Sequence, residues 1–383
     1  MPNQTKGVLF LLMLIINFSA FSQNWVDKVT GIFEHEISEP KDSTHYHSKY
    51  VIAPIISYEP STSLGIGVGA KLLFKFPKSF EETRTSNVPI SAQYTLKNQF
   101  IFTSDFTIFS NQEQWLFKGN ISALKYPAPF FGIGSQTVQG DEIELSYRNF
   151  LFEPLVLKRI HKKFFLGGGL RYNNVYESEV EDETNEFQSL TAKDVNQKAV
   201  GVELAATYDS RSNVLNSTSG WFIEYTLGSY DKDLGSTDNF KLSKLDARTY
   251  FDMPKRKYDV LAFQLFSRFS WGDVPLLEYS TLGGEDLLRG TPEGRFRDFN
   301  SWFFQTEYRW QTWERIGMVF FGGMGDVFDN PDELQMENLK FSVGSGVRLK
   351  IVKAENLNIR FDYGLKFGRE FNSGFYLNLA EAF

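Results

Sequence analysis

The amino-acid sequence predicts an all-β fold, a transmembrane antiparallel β-barrel of about sixteen strands. After residue 50, apolar and polar residues alternate with a period of two in segment after segment, with turn residues between the segments. No run of eighteen apolar residues follows, which excludes a helical membrane protein. Aromatic residues make up 16% of the chain and include 38 phenylalanines, as lipid-facing strands and interface girdles require.

The first segment, residues 1–22, predicts a secretory signal peptide. Lys6 and the amino terminus precede an apolar run, Val8–Ile16, that is too short to span a bilayer as a helix. Ala20 and Ser22 are the small residues that signal peptidase favours, so we expect cleavage near Gln23. The alternative is a buried N-terminal helix, but the run lacks an amphipathic period. The sequence has no cysteine, which excludes disulfides and lipid attachment to a cysteine.

Residues 23–49 are predicted to form a short periplasmic N-terminal segment, and residues 50–383 to form the outer-membrane β-barrel domain. The predicted strands span residues 50–58, 63–76, 88–97, 99–110, 113–126, 142–160, 162–180, 199–211, 220–230, 239–253, 257–271, 300–313, 315–329, 339–352, 357–368 and 373–383. An even number of strands suits a bacterial single-chain barrel, and a last strand that runs to residue 383 can close on the first.

The clearest alternation lies in residues 300–313. Its mainly apolar side chains share one face: Trp302, Phe304, Thr306, Tyr308 and Trp310. Its polar side chains share the other: Gln305, Glu307, Arg309 and Gln311. Residues 357–367 repeat the pattern, with Asn358, Arg360, Asp362 and Lys366 on the polar face. A soluble β-sandwich alternates as well, so alternation alone leaves open whether the polar face meets solvent or lines a lumen.

The lengths of the connections indicate the orientation. Connections expected at the periplasmic end are mostly tight: His161–Lys163, Met253–Lys257, Trp313–Arg315 and Val352–Asn356. Connections expected outside the cell are longer: 127–141, 181–198, 272–299 and 330–338. Pro77–Asn87 disagrees, since it is long for a periplasmic turn, and we interpret it as a local miscount of strands.

The connection at residues 272–299 contains a glycine-rich stretch that ends in an Arg-Gly pair. It reads Leu282-Gly283-Gly284-Glu285-Asp286-Leu287-Leu288-Arg289-Gly290, followed by Gly294-Arg295-Phe296-Arg297-Asp298. This stretch resembles the sixth-loop signature of the BamA/TamA (bacterial surface antigen) superfamily, although Thr291 stands where an aromatic residue is usual. The resemblance implies a long external loop that folds into the lumen and docks its arginine on acidic groups.

The physical chemistry of the Arg-Gly pair agrees with that role. An arginine presents a planar fork of donors that can bond one carboxylate twice, and a following glycine permits the turn that aims it inward. Glu307 and Asp362, both predicted to face the lumen, are the expected partners of Arg289. Gly283, Gly284 and Gly290 complete this structural loop. The alternative is a solvated arginine in a flexible external loop.

The resemblance covers most of the chain after residue 200. Thr207-Tyr208-Asp209-Ser210-Arg211, with Gly220-Trp221, resembles a strand-turn-strand segment of the family around an Asp-x-Arg motif. Glu307-Tyr308-Arg309 and Phe361-Asp362-Tyr363-Gly364 resemble its twelfth and penultimate strands.

Several positions depart from the family pattern. Gly323 stands where the thirteenth strand usually carries an acidic residue, so one usual arginine partner is absent. Phe383 fits a C-terminal assembly signal, but Glu381 occupies a position that is often apolar. Residues 23–49 are too few for a POTRA domain, so we expect a family member that lacks these domains.

Two functions are hypotheses at this stage. The first is a barrel of the BamA/TamA assembly-factor type that assists insertion or translocation of a protein or lipid-like client, at a weak seam between its first and last strands. The second is a passive pore or structural barrel. The expected location is the outer membrane of a Gram-negative-type bacterium. The expected partners are outer-membrane lipids, an unfolded outer-membrane protein or lipid-like client, and the cell's barrel assembly machinery during biogenesis.

The sequence gives no pattern for enzyme chemistry. It has no Gly-x-Ser-x-Gly elbow and no P-loop, and its four histidines form no visible triad, so we expect neither catalysis nor a cofactor. His45 and His47 alternate but have no clear third ligand, so no metal site is predicted. The acidic run Glu177–Glu186 is interpreted as a solvated external loop rather than a calcium site. A net charge of −7 argues against nucleic acid as a partner.

Overall fold

Sixteen strands form one antiparallel barrel. The computed structural model describes residues 34–36, 48–59, 63–77, 79, 83–138, 140, 142–181, 190–254, 258–352, 356–379 and 381–383. The barrel strands are β1 (Lys49–Glu59), β2 (Ser63–Phe74), β3 (Ser86–Thr95), β4 (Phe100–Phe109), β5 (Trp115–Phe130), β6 (Ile143–His161), β7 (Phe164–Glu181), β8 (Gln197–Asp209), β9 (Gly220–Tyr230), β10 (Phe240–Asp252), β11 (Val260–Gly272), β12 (Asn300–Gln311), β13 (Ile316–Phe328), β14 (Lys340–Val352), β15 (Leu357–Phe367) and β16 (Asn372–Leu379). Each strand pairs antiparallel with the next. The predicted barrel of sixteen strands is confirmed.

The observed strand bounds lie within four residues of the predicted ones. The last strand is the main correction, because β16 ends at Leu379 rather than at residue 383. Beyond it, Glu381 forms an ion pair with Arg348, and Phe383 packs against Tyr250, so these residues turn into the lumen instead of extending the strand. A short strand not predicted from the sequence, Glu34–Glu36, pairs with Lys49–Val51 of β1. The predicted signal peptide and the two histidines at 45 and 47 lie outside the described residues.

The alternation in β12 shows why the strands close into a barrel with a polar interior. Gln305, Glu307 and Arg309 are buried inside, whereas Phe304 and Trp310 face outward and are partly or largely exposed. An exposed apolar face is stable only against lipid, and a polar interior needs partners that the opposite wall supplies. The soluble sandwich with an apolar core is therefore wrong.

The long connection between β2 and β3 is genuine. These strands are direct neighbours in the sheet, so the interpretation of a miscount is wrong. Arg84, at the end of the connection, forms ion pairs with Glu113 at 2.9 Å and with Asp209 at 2.6 Å. Asp209 also accepts hydrogen bonds from Nε and Nη2 of Arg211, both at 3.0 Å, within the predicted Asp-x-Arg motif. These links attach the connection to two other periplasmic turns.

Apolar clusters lie toward both ends of the lumen, and buried polar side chains lie between them. At the periplasmic end, Val214 and Leu215, from the connection between β8 and β9, pack against separate clusters of buried side chains. Further clusters lie toward the external end, around Phe130, Tyr230 and Leu282. The apolar side chains of the described lumen are therefore grouped toward its two ends.

The helical segments of the described residues are short. The longest of them is Ala192–Val195, in the connection between β7 and β8. None of the described helices has the length and apolar character to cross a membrane.

Candidate functional site in the lumen

The connection between β11 and β12, residues 273–299, is here named the lumenal loop. It contains a helical turn, Leu276–Glu278, and a two-stranded hairpin of Ser280–Leu282 with Phe296–Asp298. Leu282 and Phe296 of the hairpin are buried in a cluster with Phe303 of β12. The loop therefore packs inside the barrel rather than projecting into solvent.

The start of the lumenal loop is fixed to the wall formed by β7 and β11. Glu278 is 1% exposed and accepts hydrogen bonds from Arg171 at 3.0 Å, Asn173 at 2.6 Å and Arg268 at 3.1 Å. Burial raises the pKa of this carboxyl, but the charges of Arg171 and Arg268 outweigh burial and hold its pKa below the usual range. Glu278 is thus an ionised anchor for the loop.

The tip of the loop turns through residues in the left-handed backbone region. Gly283 has φ +127°, and a side chain there would lie 2.0 Å from the carbonyl oxygen of Pro292. Gly284 has φ +105°, and its amide donates to the carbonyl of Thr291 at 3.0 Å. Leu288 has φ +61° although it is not glycine, and its side chain is fully buried. This local strain is held by the surrounding packing and sets the direction of the next residue.

That next residue, Arg289, lies between two acidic side chains of the barrel wall. Its Nη2 donates to Oε1 of Glu307 at 2.6 Å and its Nη1 donates to Oδ2 of Asp362 at 2.8 Å. Arg289 is 1% exposed and both carboxylates are fully buried. Its Nη2 also donates to Gln305, at 3.2 Å, and its guanidinium lies 3.5 Å from the centre of the Phe321 ring.

The two carboxylates have further cations beside them, so the buried charge is balanced. Glu307 also accepts from Nε of Arg309 at 3.0 Å, and Asp362 accepts from Nη1 of Arg348 at 2.5 Å. Arg309 donates to the backbone oxygen of Phe383 at 2.7 Å. This network continues from the loop tip to the residues that follow β16.

Gly290 places the backbone of the tip directly against β15 and β16. Its amide donates to the hydroxyl of Tyr376, on β16, at 3.0 Å. A side chain at Gly364, on β15, would lie 2.6 Å from the carbonyl carbon of Arg289, so only glycine permits this approach. Nearby, Glu285 accepts hydrogen bonds from Asn378 of β16 at 3.0 Å and from Arg360 of β15 at 3.2 Å.

Arg295 fixes the external side of the same loop. Its Nη1 donates to the hydroxyl of Thr137 at 2.7 Å, and its Nη2 donates to Glu370 at 2.9 Å. These partners lie in the connections between β5 and β6 and between β15 and β16. The lumenal loop thus joins four separate parts of the barrel: the β7 and β11 wall, the β12 and β15 wall, the last strand and two external connections.

The seam between β16 and β1 is the weakest strand pairing of the described barrel. Phe375 and Tyr58 are its single pair in register. By contrast, β15 and β16 are in register from Ile359–Leu379 to Lys366–Asn372, and β1 and β2 along the whole of β1. The seam edge of β1 also pairs with the short strand Glu34–Glu36 at Lys49–Val51, so the sparsely paired part of the seam lies beyond these residues.

The structure brings together the loop residues selected from the sequence: Gly283, Gly284, Arg289, Gly290, Glu307 and Asp362. Phe383 is buried instead of forming an end of the last strand. Sequence reasoning recognised the motif around Arg295 but gave this residue no role. It also missed Tyr376 and Glu278, because the partners of each lie far from it in the sequence. Among the described residues, no three His, Asp or Glu side chains form a group that could hold a metal ion.

These features define a class of protein: an outer-membrane β-barrel whose lumen is occupied by an inward-folded external loop. The family model of the Omp85 superfamily domain matches residues 84–383. The chain belongs to the Omp85 superfamily, so the predicted BamA/TamA-type membership is confirmed, and its location is the outer membrane of a Gram-negative bacterium. No curated protein matches the sequence.

Solved barrels of this superfamily share the fold. BamA from Haemophilus ducreyi lacking POTRA domains 1–3 superimposes with a TM-score of 0.53 at 11% identity, over 92% of this chain and 76% of that one. CdiB from Acinetobacter baumannii gives 0.55 at 12% identity, over 91% and 65%. CdiB from Escherichia coli gives 0.59 at 11% identity, over 88% and 63%. The chain spans less than two thirds of either CdiB chain.

Proposed function

We propose that this barrel assists the insertion or translocation of a client, either an unfolded outer-membrane protein or a lipid-like molecule, at the seam between β16 and β1. The observation that carries the proposal is the single register pair between Phe375 and Tyr58. Backbone groups that lack a partner in lipid cost several kcal/mol each, so the open edges favour a strand that pairs with them.

A client strand is a suitable partner for these edges. An extended segment that adds to an exposed sheet edge gains main-chain hydrogen bonds without a specific sequence, which suits a barrel that handles many clients. Separating β16 from β1 requires the loss of few bonds between these two strands, since they share one register pair among the described residues.

The lumenal loop supports this mechanism as a brace. Its tip contacts β16 through Gly290 and Glu285, and contacts β12 and β15 through Arg289. While the loop is docked, the wall beside the seam keeps its shape even when β16 moves away from β1. We therefore assign bracing of the lumen to Arg289, with Glu307 and Asp362 as its partners.

The second candidate is a passive pore or structural barrel. The lumenal loop packs inside the barrel and favours a plugged lumen, and steady large conductance in a planar bilayer would support the pore instead. For the proposed function we expect near-silence with rare openings.

A reversible lock of the seam tests the proposal. The chain has no cysteine, so Tyr58→Cys with Phe375→Cys introduces one cross-strand pair at the seam. The matched control is Phe304→Cys with Met324→Cys, a register pair of β12 and β13 away from the seam. The probe is a urea-unfolded eight-stranded outer-membrane barrel that inserts into liposomes holding this protein.

Oxidation of the seam pair is expected to stop the acceleration of client insertion, and a reductant is expected to restore it. Oxidation of the control pair should leave insertion unchanged. Insertion that proceeds equally with the seam oxidised or reduced would contradict the proposal. A parallel measurement with a fluorescent phospholipid tests the lipid-like client in the same liposomes.

A further inference from the structure

A cavity of about 650 Å³ lies in the lumen, between the inner face of β1 to β4 and the tip of the lumenal loop. Its volume is within the roughly 300–1,000 Å³ of small-molecule sites. Next to the seam, the lining includes three apolar side chains, Ile55 of β1 and Leu377 and Leu379 of β16, beside the polar Asn378. The opposite side is polar and carries two charged residues that the loop network does not use, Lys71 and Asp105.

Lys71 is a buried cation in this cavity. It lies on β2, is 4% exposed and, among the described residues, has neither an ion pair nor a hydrogen bond. The other cations that line the cavity are paired, Arg248 with Asp246 and Arg360 with Glu285. The charge of Asp105 attracts Lys71 without forming an ion pair with it. A buried ammonium that lacks an ion pair and a hydrogen bond is costly, and an anion that enters the cavity would offset this cost.

Asp105, on β4, lines the same cavity and lies in the same cross-strand row of residues as Lys71. Lys71 of β2 lies opposite Pro89 of β3. Two residues before and two residues after Pro89, β3 and β4 are paired in the same register, which places Pro89 opposite Asp105 of β4. Two strand spacings of about 4.8 Å then separate the backbones of Lys71 and Asp105 by roughly 10 Å. Asp105 accepts a hydrogen bond from Asn120 at 2.6 Å, and no ion pair joins it to Lys71 among the described residues.

We propose that this cavity binds the head group of a zwitterionic phospholipid with a primary ammonium, of the phosphoethanolamine type. The phosphate lies on Lys71 and the ammonium on Asp105, since the row offers one charge of each sign with the donor-free ring of Pro89 between them. The acyl chains leave along Ile55, Leu377 and Leu379 and reach the bilayer through the sparsely paired seam. This inference rests on the cavity and on the seam between β16 and β1, and it does not depend on client insertion.

The test is native mass spectrometry of the full chain in detergent. The added probes are dioleoyl phosphatidylethanolamine, dioleoyl phosphatidate and soluble phosphoethanolamine. We expect one bound phosphatidylethanolamine per barrel, and at least tenfold weaker binding in Lys71→Met, because a charged hydrogen bond is lost. Lys71→Arg keeps the charge and is expected to retain binding.

A second variant tests the other end of the head group. Asp105→Asn is expected to weaken binding of phosphatidylethanolamine and to leave phosphatidate, which has no ammonium, unchanged. The matched control is Lys244→Met, which removes a lumenal lysine that pairs with Glu153 and does not line the cavity. Heat-dependent gel mobility checks that each variant is folded.

The outcomes decide the proposal. It is overturned if Lys71→Met, folded, binds phosphatidylethanolamine as the unmodified chain does, or if Asp105→Asn weakens both lipids equally. Binding of soluble phosphoethanolamine as tightly as the lipid would overturn the lipid as the occupant. Loss of binding in Lys244→Met equal to that in Lys71→Met would overturn the assignment to this cavity.

Discussion

Replacing Arg289 by alanine is expected to release the tip of the lumenal loop from the barrel wall. The guanidinium bonds Glu307 at 2.6 Å and Asp362 at 2.8 Å, and all three side chains are buried. Removing one partner of a buried ion pair costs about 3–5 kcal/mol. Because Arg309 and Arg348 still neutralise the two carboxylates, we expect the lower value, about 3 kcal/mol.

Hydrogen exchange at the amide of Gly290 measures this release directly. That amide donates to the hydroxyl of Tyr376 at 3.0 Å, so it exchanges when the tip undocks. A loss of about 3 kcal/mol changes the ratio of docked to undocked loop by roughly 150-fold. The exchange of Gly290 should therefore be about a hundred times faster in Arg289→Ala.

Two further variants serve as comparisons for this measurement. Arg289→Lys keeps the charge but lacks the planar fork, so its exchange should be intermediate. Arg148→Ala removes an exposed arginine that pairs with Glu177 on the barrel exterior, and it should leave Gly290 unchanged. Exchange in Arg289→Ala within twofold of the unmodified chain would refute the reasoning and assign loop docking to the hairpin packing instead.

Gly364→Ala is expected to weaken loop docking by about 1–3 kcal/mol, because the added methyl group would lie 2.6 Å from the carbonyl carbon of Arg289. The same exchange measurement checks it, and Gly322→Ala, where the nearest atom is 3.7 Å away, should have no effect. Glu113 predicts a pH dependence: burial raises its pKa, but hydrogen bonds and the charge of Arg84 outweigh this and lower it. The stabilisation is therefore present at neutral pH and is lost as the pH falls through the folded pKa, below the usual 4.5. The Arg84 amide donates to Glu113 at 2.9 Å, so its hydrogen exchange should accelerate as the pH falls through this pKa. The acceleration should be absent in Glu113→Gln.

The alternation of apolar and polar residues was sufficient to predict the strands and the face of the strand on which each side chain lies. A period of two assigns each residue to one side of a strand, so the alternation places Glu307 and Asp362 on the polar faces of their strands, and the prediction of a barrel turns those faces toward the lumen. The Arg-Gly pair of the loop was visible for a similar reason, since its glycines require special backbone angles.

Contacts across the lumen could not be predicted in this way. Arg295 meets Thr137 and Glu370 only because curvature of the closed sheet brings distant connections together at the external end. The inward turn after Leu379 depends on Arg348, which local alternation does not reveal as a partner of Glu381. The length of the connection before β3 is explained by Arg84, whose partners lie in two other turns.

The shortest of the sixteen described barrel strands is β16. β16 has 8 residues, whereas β6 has 19. At about 3.4 Å per residue and a tilt of about 40°, eight residues rise roughly 20 Å, less than the apolar band of about 25 Å that outer-membrane barrels usually present. Lipids that border β16 must shorten their chains or tilt to match it, so the bilayer is thinnest and most easily perturbed on that flank of the molecule.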